Sequence, residues 1–233
     1  MSRRPSLNTV SRTFITRVQS SLDLYGAVAQ FALGTWDAIQ GWELLYPGQA
    51  RRIVALAFMN LVIGWEEFVE ASFVRYLAGS KSPGGWAPKL RLSRCKNLQH
   101  AYALIAGSAD FDVTRQYLNW SSWPEVESRA EVFFVGGKPF TTLSELQKNR
   151  LKDAQIIRNR VAHSSTKCRE DFKRVARQFC GLSGSQKLRK GIDVGQVLLD
   201  TSGRGFGCGR GESLFIHYAY LFCDLAQLMA PTT

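Results

Sequence analysis

The sequence contains few of the residues that build metal or redox centres. It has three His and five Cys in 233 residues. The cysteines form neither a CxxC pair nor a zinc-ligand spacing with histidine; they are Cys95, Cys168, Cys180, Cys208 and Cys223. Because metal sites need closely spaced donors, we expect no metal and no cofactor. An odd number of cysteines in a chain of this size indicates free, mostly inert thiols in a reducing compartment, so we expect a cytoplasmic protein.

Long apolar runs are also missing. The longest one extends from Ile53 to Trp65, is interrupted by Asn60, and is followed at once by Glu66 and Glu67. A membrane-spanning helix needs about 20 consecutive apolar residues. We therefore expect no membrane partner.

Acidic residues are fewer than basic ones, 19 against 30, which gives a formal net charge of +11. Most of this excess lies in residues 140–190, where 13 Lys or Arg face only four acidic residues and the net charge is +9. A basic stretch is often no more than a solvated surface. It also suits a polyanion, which is the first partner to consider here.

Apolar side chains recur at spacings of three and four along most of the chain, which predicts an all-α fold. The expected helices cover about Thr9–Phe31, Gln49–Leu77, Ser93–Ala106, a segment from Thr142 toward His163, a basic segment to about Phe179, and about Glu212–Met229. Ser164, Ser165 and Thr166 are expected to end one helix and cap the next. Residues 110–137 are expected to be an irregular connection. Ile192–Leu199 is expected to be a short strand, alone or as one of a pair, or an extended arm.

One short string combines residues that suit phosphodiester chemistry. It reads Ile-Ile-Arg-Asn-Arg-Val-Ala-His over residues 156–163. Asn159 and His163 are one helical turn apart, whereas Arg158 lies about 140° around the helix axis from His163. A guanidinium binds an anion, an amide orients it and an imidazole carries protons. The same residues also stabilise a helix C-terminus through its dipole, so the spacing alone leaves both interpretations open.

This string resembles the Arg-x4–6-His signature of HEPN-superfamily ribonucleases, in which a polar residue follows the arginine. A second string, Leu-Val-Ile-Gly-Trp-Glu-Glu-Phe-Val-Glu over residues 61–70, resembles the Trp-Glu helix of the RiboL-PSP branch. The resemblance implies an antiparallel helical bundle of HEPN type, with extra helices and loops, that forms a homodimer. It also implies one domain over residues 1–233, with a core at about 9–78 and 140–229 and a variable insertion at 79–139.

The resemblance further implies a metal-independent endoribonuclease, in which the ribose 2′-OH attacks the adjacent phosphorus and leaves a 2′,3′-cyclic phosphate and a 5′-hydroxyl. Arg158 would hold the phosphate, Asn159 would orient the phosphate or the imidazole, and His163 would be the general base or acid. Glu66 is a candidate for orienting Arg158, and is otherwise an exposed helix carboxylate. The cations expected to bind RNA are Arg150, Arg160, Lys167, Arg169, Lys173 and Arg174. A toxin or phage-defence effector of this kind would have RNA, a second copy of the chain, and an antitoxin or regulatory protein as partners.

Other features allow different interpretations. Gly203–Gly211 alternates Gly with Arg and Phe but lacks the Gly-Lys-Ser/Thr of a P-loop. It predicts a flexible connector, or a contact with single-stranded RNA through its Arg and Phe side chains. His100 is expected to be a partly buried or surface residue and not a ligand, and His217 is expected in the core or at an interface. The alternative function is a non-catalytic RNA- or nucleotide-binding HEPN dimer that acts as a partner subunit, and a basic helical protein of another family remains a third possibility.

Overall fold

A computed structural model describes residues 6–32, 45–183, 185–202, 206 and 211–232. Within these residues the secondary structure is helical, with eight α-helices and no strand. The helices are α1 (Leu7–Ala32), α2 (Pro47–Leu77), α3 (Leu98–Ala106), α4 (Trp123–Phe133), α5 (Glu145–Ala162), α6 (Thr166–Phe179), α7 (Val194–Leu198) and α8 (Leu214–Met229). A 3₁₀ turn at Val135–Gly137 follows α4. None of the described helices combines the length and apolar character needed to cross a membrane.

The chain divides into two compact units. The first comprises Met1–Thr16, Gly64–Lys152 and Phe222–Thr233, and the second comprises Arg17–Ile63 and Asp153–Leu221. Residues 79–139, which the sequence suggested as a variable insertion, lie entirely in the first unit.

The first unit is built around aromatic rings. The ring of Phe73 lies 4.8–6.2 Å from the rings of Trp120, Phe133, Phe134 and Phe140. A second group surrounds Trp65, whose ring lies 6.2 Å from Trp123 and 5.5 Å from Phe222. Large aromatic side chains bury much apolar surface and favour tilted or edge-on contacts, so these two groups form the core of this unit.

The segment between α2 and α3 is joined to the end of α4 by backbone hydrogen bonds. Arg91 N–H donates to Phe133 O at 2.9 Å, and Val135 N–H donates to Lys89 O at 2.8 Å. These bonds flank an isolated antiparallel bridge between Leu90 and Phe134. The pairing does not extend into a ladder, so it is a local connection and not the strand pair that the sequence left open.

The second unit has its own aromatic core. Tyr25 of α1 stacks on Phe215 of α8 with ring centroids 4.6 Å apart, and Phe58 of α2 meets Tyr218 edge-on at 5.1 Å. A polar contact between α1 and α2 accompanies them, since the Asn60 amide donates to the Ser21 hydroxyl at 3.1 Å. This unit also holds the C-terminal half of α5, from Asp153 to Ala162, all of α6 and all of α7.

The all-α prediction is confirmed for the described residues, and most expected helices are present. α1, α2, α6 and α8 begin or end within about two residues of the predicted limits. The prediction that Ser165 caps α6 is also confirmed, because its hydroxyl accepts the Cys168 N–H at 3.2 Å. These helices were predictable because each has a long apolar face at helical spacing.

Three local predictions are wrong. α3 begins at Leu98 and not near Ser93, because the Asn97 side chain caps the helix by accepting the His100 N–H. Residues 110–137 are not wholly irregular, since α4 lies within them and its first turn accommodates Pro124. The segment Ile192–Leu199 is neither a strand nor an extended arm. It contains α7, which begins with a reciprocal capping box between Asp193 and Gln196.

The described cysteines are free thiols, as expected. Burial raises the pKa of the Cys95, Cys180 and Cys223 thiols above the usual value. A thiol with a raised pKa forms less thiolate, which is the reactive species. These three thiols therefore form less thiolate than a free cysteine does, while Cys208 lies outside the described residues.

Candidate functional site

The residues of the Arg-Asn-Arg-Val-Ala-His string lie at the C-terminal end of α5. This end of the helix is anchored in the second unit by Ile157, which is fully buried, and by Ala154, which is nearly so. Arg158, Asn159 and Arg160 follow directly and are half-buried. The apolar face of α5 therefore fixes the backbone from which the three polar side chains extend.

His163 follows the last residue of α5 and is exposed to solvent. Its backbone is nevertheless held at both polar groups. The N–H donates to Asn159 O at 2.9 Å, which continues the helical hydrogen-bond pattern, and the C=O accepts from Arg160 Nη1 at 3.0 Å. The imidazole is thus accessible on a backbone that is fixed in place, a useful combination for a group that carries protons.

Arg158 and Asn159 are joined through their side chains. Arg158 Nη1 donates to Asn159 Oδ1 at 2.9 Å. This bond sets the orientation of the amide, whose oxygen faces the guanidinium. The structure thus brings Arg158 and Asn159 into contact, and it places His163 one helical turn after Asn159.

Helix α6 begins three residues after His163 and buries one face. The buried side chains are Phe172, Val175, Ala176 and Phe179. Four of the predicted RNA-binding cations lie on this helix and are exposed: Lys167, Arg169, Lys173 and Arg174. Their exposure leaves them accessible to a polyanion, and their binding of RNA stays a prediction.

The cations of α6 are not equivalent. Lys173 pairs with Glu170 at 2.8 Å and Arg174 pairs with Asp171 at 3.3 Å, both across one turn of the helix. Lys167 and Arg169 form no ion pair within the part of the chain that the structure describes. The first turn of α6, which is closest to His163 along the chain, therefore carries the cationic charge that is not neutralised locally.

Two other predicted residues lie elsewhere. Arg150 belongs to the first unit and is only 6 % exposed, which leaves its guanidinium little surface for contact with RNA. Glu66 also belongs to the first unit and is 8 % exposed. It is therefore not the exposed helix carboxylate of the alternative interpretation, and its suggested action on Arg158 stays a prediction.

The remaining histidines have structural surroundings. His100 accepts the Lys96 N–H through Nδ1 at 3.2 Å at the start of α3. His217 stacks on Phe206, with ring centroids 5.3 Å apart and an interplanar angle of 16°. Phe206 is the described member of the Gly-rich run before Gly211, and its ring packs inside the second unit instead of extending toward a ligand. The rest of that run, residues 203–205 and 207–210, lies outside the described residues.

A cavity that the sequence interpretation missed lies in the second unit beside the motif. Its volume is about 480 Å³. The lining residues come from α2, the end of α5, α6 and α7 with the segment before it: Arg51, Arg52, Ala55, Leu56, Arg160, Val161, Phe172, Gly191, Ile192, Asp193, Val194 and Gly195. The Arg51-Arg52 pair is visible in the sequence, but only the fold shows that these residues lie close to Arg160.

The arginines and apolar residues that line this cavity could hold a charged organic ligand. Within the described ranges, no three His, Cys, Asp or Glu side chains are grouped as ligands for a metal ion. Comparisons of the chain with protein-family models, with curated proteins and with solved structures found no match.

Proposed function

We propose that this protein is a HEPN-type endoribonuclease that cleaves RNA with His163 as a general acid or base. The observation that carries the proposal is the accessible imidazole on a backbone held by Asn159 and Arg160, directly before a helix whose first turn bears unpaired cations. A proton carrier, an anion-binding arginine and a cationic surface for a polyanion are the groups that phosphodiester transesterification requires.

The proposed reaction uses only groups that the chain and its substrate supply. A base takes the proton of the ribose 2′-OH, and the 2′-oxygen forms a bond to the adjacent phosphorus. The bond from phosphorus to the 5′-oxygen breaks, and an acid gives that oxygen a proton. The products are a 2′,3′-cyclic phosphate and a 5′-hydroxyl, while Arg158 stabilises the additional negative charge on the phosphorane.

The reaction calls for both a base and an acid, whereas the motif supplies one imidazole per chain. His100 accepts the Lys96 N–H through Nδ1, and the His217 ring is packed against Phe206, so neither of these side chains is a natural second group. A homodimer solves this problem, because His163 of each copy would take one of the two roles at a shared cleft. The proposal therefore includes a dimer.

The first test is cleavage of mixed RNA in the presence of EDTA. We expect His163→Ala to lower the rate about 10²–10⁴-fold, as removal of a general acid or base does. Loss of the Arg158 guanidinium in Arg158→Ala should cost about 10²–10³-fold. Mass spectrometry should find cyclic phosphate ends on the products of the wild-type protein.

Matched controls are available in the first unit. His100→Ala removes an exposed imidazole and Arg115→Ala removes an exposed guanidinium, and both variants should cut at the wild-type rate. Cleavage that persists in His163→Ala would contradict the proposed catalytic role of His163. Salt-sensitive RNA binding by a wild-type protein that cuts nothing would instead favour the non-catalytic RNA-binding dimer.

The dimer has its own test. Co-expression of the wild-type chain with a differently tagged His163→Ala chain yields mixed dimers that can be purified through both tags. If the shared cleft uses both imidazoles, the mixed dimer should be nearly as inactive as a dimer in which both chains carry His163→Ala. Half the wild-type activity, or a monomer in sedimentation, would contradict the shared cleft.

The proposed role in the cell is that of a toxin or a phage-defence effector, with an antitoxin or a regulatory protein as its partner. Expression of the wild-type chain should then arrest growth, and His163→Ala should relieve this arrest while accumulating to a higher level. Equal growth and equal yield of the two proteins would count against a toxic nuclease.

A further inference from the structure

The lining of the cavity in the second unit combines two kinds of residue. Three of them are arginines, Arg51, Arg52 and Arg160. Others are apolar and include Leu56, Val161, Phe172 and Ile192. The volume of about 480 Å³ lies within the range of about 300–1,000 Å³ that is usual for sites of small organic ligands.

The positive charge of this cavity is only partly neutralised within the chain. Asp193 Oδ2 pairs with Arg51 Nε at 2.8 Å, and Asp193 Oδ1 accepts the Gln196 N–H at 2.9 Å as the cap of α7. Both oxygens of the one acidic lining residue are thereby engaged. Arg52 forms no ion pair or hydrogen bond through its side chain within the described ranges, and the Arg160 side chain bonds only the His163 carbonyl there.

The wall of the cavity is closely packed at α7. A Cβ atom at Gly195 would lie 2.2 Å from the carbonyl oxygen of Arg51, so a larger residue there would push α7 away from α2. Together with the Arg51–Asp193 ion pair, this contact fixes the two sides of the cavity relative to each other. The part of α2 that carries Arg51 and Arg52 is therefore held against the start of α7.

We propose that this cavity binds one nucleotide unit, with its phosphate at Arg52 and Arg160 and its base or ribose against the apolar wall. Arginine binds phosphate through paired N–H groups, and a flat ring gains from contact with the apolar side chains and guanidinium planes. Neither inorganic phosphate nor an uncharged nucleoside would make use of both the arginines and the apolar residues of the lining. A nucleotide would use both.

This inference rests on the proposed function for its biological meaning, because Arg160 joins the cavity to His163. Arg160 Nη1 donates to His163 O at 3.0 Å, while the other N–H groups of the guanidinium remain as donors for a phosphate. A nucleotide unit in the cavity would hold Arg160, and Arg160 in turn would hold the backbone of His163. The cavity would then be a subsite for a nucleotide flanking the bond that is cut.

The test measures binding without cleavage. AMP, adenosine and inorganic phosphate are each titrated into the full-length His163→Ala chain by calorimetry. We expect AMP to bind at least about tenfold more tightly than either fragment, since one charged hydrogen bond contributes about this much. No detectable binding of AMP, or equal binding of AMP and phosphate, would overturn the proposal.

The variants locate the binding. Arg52→Ala removes a side chain that has no partner in the described chain, so it should weaken AMP binding about tenfold to a hundredfold without affecting the fold. Leu56 is 43 % exposed, and Leu56→Asp should weaken AMP through charge repulsion. Arg115→Ala removes an exposed arginine that does not line the cavity, and its affinity for AMP should stay within twofold of the parent. AMP binding that is unaffected by Arg52→Ala would place the nucleotide elsewhere.

A strand of RNA and a free nucleotide present the same chemistry, and competition separates them. A short 2′-fluoro oligoribonucleotide, which lacks the attacking hydroxyl, is bound to the same protein and AMP is added. Displacement of the oligonucleotide assigns the cavity to the RNA strand, and independent binding assigns it to a free nucleotide. If the wild-type protein cuts no RNA but Arg52-dependent AMP binding persists, the cavity site stands and the nuclease proposal falls.

Discussion

Helix α4 of the first unit and helix α6 of the second unit are built on the same plan with opposite charge. Each buries four side chains at helical spacing: Trp123, Val126, Ala130 and Phe133 in α4, and Phe172, Val175, Ala176 and Phe179 in α6. Outside these faces, α4 has three glutamates and one arginine, whereas α6 has five basic and two acidic residues.

Packing requires an apolar face on both α4 and α6, and it leaves the charge of their solvent-facing sides unconstrained. Both helices need an apolar face, because burial of that face contributes most of the stability of a helix in a folded protein. Neither core contact depends on the sign of the charge on the solvent side. The basic face of α6 is therefore not needed for folding, and this supports a role in binding a polyanion.

The core contacts should show the largest and most similar effects. Phe133 and Phe179 are the last residues of α4 and α6, and both are buried. We expect Phe133→Ala and Phe179→Ala each to lower the free energy of unfolding by about 3–5 kcal/mol, measured by urea denaturation. Val132→Ala, at an exposed position of α4, is the control and should change it little. A much smaller cost for Phe179→Ala than for Phe133→Ala would mean that the two helices are not packed alike.

The charges should separate the two helices in RNA binding. Replacement of Lys167, Arg169, Lys173 and Arg174 by Gln should weaken binding of single-stranded RNA about tenfold to a hundredfold at moderate salt. It should also reduce the slope of log K against log[salt] by up to about 3, since each phosphate contact contributes roughly 0.7. Fluorescence anisotropy over a range of salt concentrations measures both quantities.

The matched variant of α4 replaces Glu125 and Glu131 by Gln. Its RNA affinity should not fall, and both multiple variants should unfold within about 1 kcal/mol of the wild type, because surface pairs contribute little to stability. Unchanged RNA affinity in the α6 variant would show that this face is only solvated surface.

The two helices also differ at their first residue. The Ser165 hydroxyl accepts the Cys168 N–H at the start of α6, whereas Ser122 makes no side-chain cap bond at the start of α4. We expect Ser165→Ala to cost about 1 kcal/mol in thermal or urea unfolding and Ser122→Ala to cost almost nothing. Equal costs would mean that the hydroxyl bond is not what stabilises the start of α6.

The smallest expected effect is on the pH dependence of stability, and it arises from the Glu70 carboxylate of α2 and not from a carboxylate of α4. Burial raises the pKa of the Glu70 carboxyl, the hydrogen bond from the Tyr102 hydroxyl at 2.8 Å acts in the opposite direction, and the Glu67 charge raises it further. The folded state binds the Glu70 proton more tightly than the unfolded state does, and this proton binding stabilises the folded state. The stabilisation is complete below pH 4.5 and is lost as the pH rises through the folded-state pKa.

Glu70→Gln should therefore flatten the fall in stability above pH 4.5, since the amide has no charge to bury. Unfolding by urea at several pH values measures the effect. Exposed Glu131→Gln in α4 is the control and should leave the pH profile as it is in the wild type. A profile that Glu70→Gln leaves unchanged would contradict a raised pKa at this carboxyl.

The sequence was sufficient to predict the long helices and insufficient to predict the short ones. α2 and α8 have apolar faces that extend over several turns, and no competing pattern of that length exists in them. α4 also has its apolar residues at helical spacing, but Trp120, Trp123 and Pro124 suggested an irregular segment. α7 has only five residues, too few for periodicity to distinguish a helix from a strand, and its capping box decides the outcome.

Some features of the candidate site are also set by local sequence, and others are set only by tertiary structure. The string from Arg158 to His163, and its position at the end of an apolar helix, were determined by local sequence, because an i to i+4 relation is a property of the helix itself. The burial of Arg150 and Glu66 and the grouping of Arg51, Arg52 and Arg160 around one cavity were decided by tertiary structure alone. These relations join residues that are distant along the chain, and only packing of the apolar faces brings such residues together or removes them from solvent.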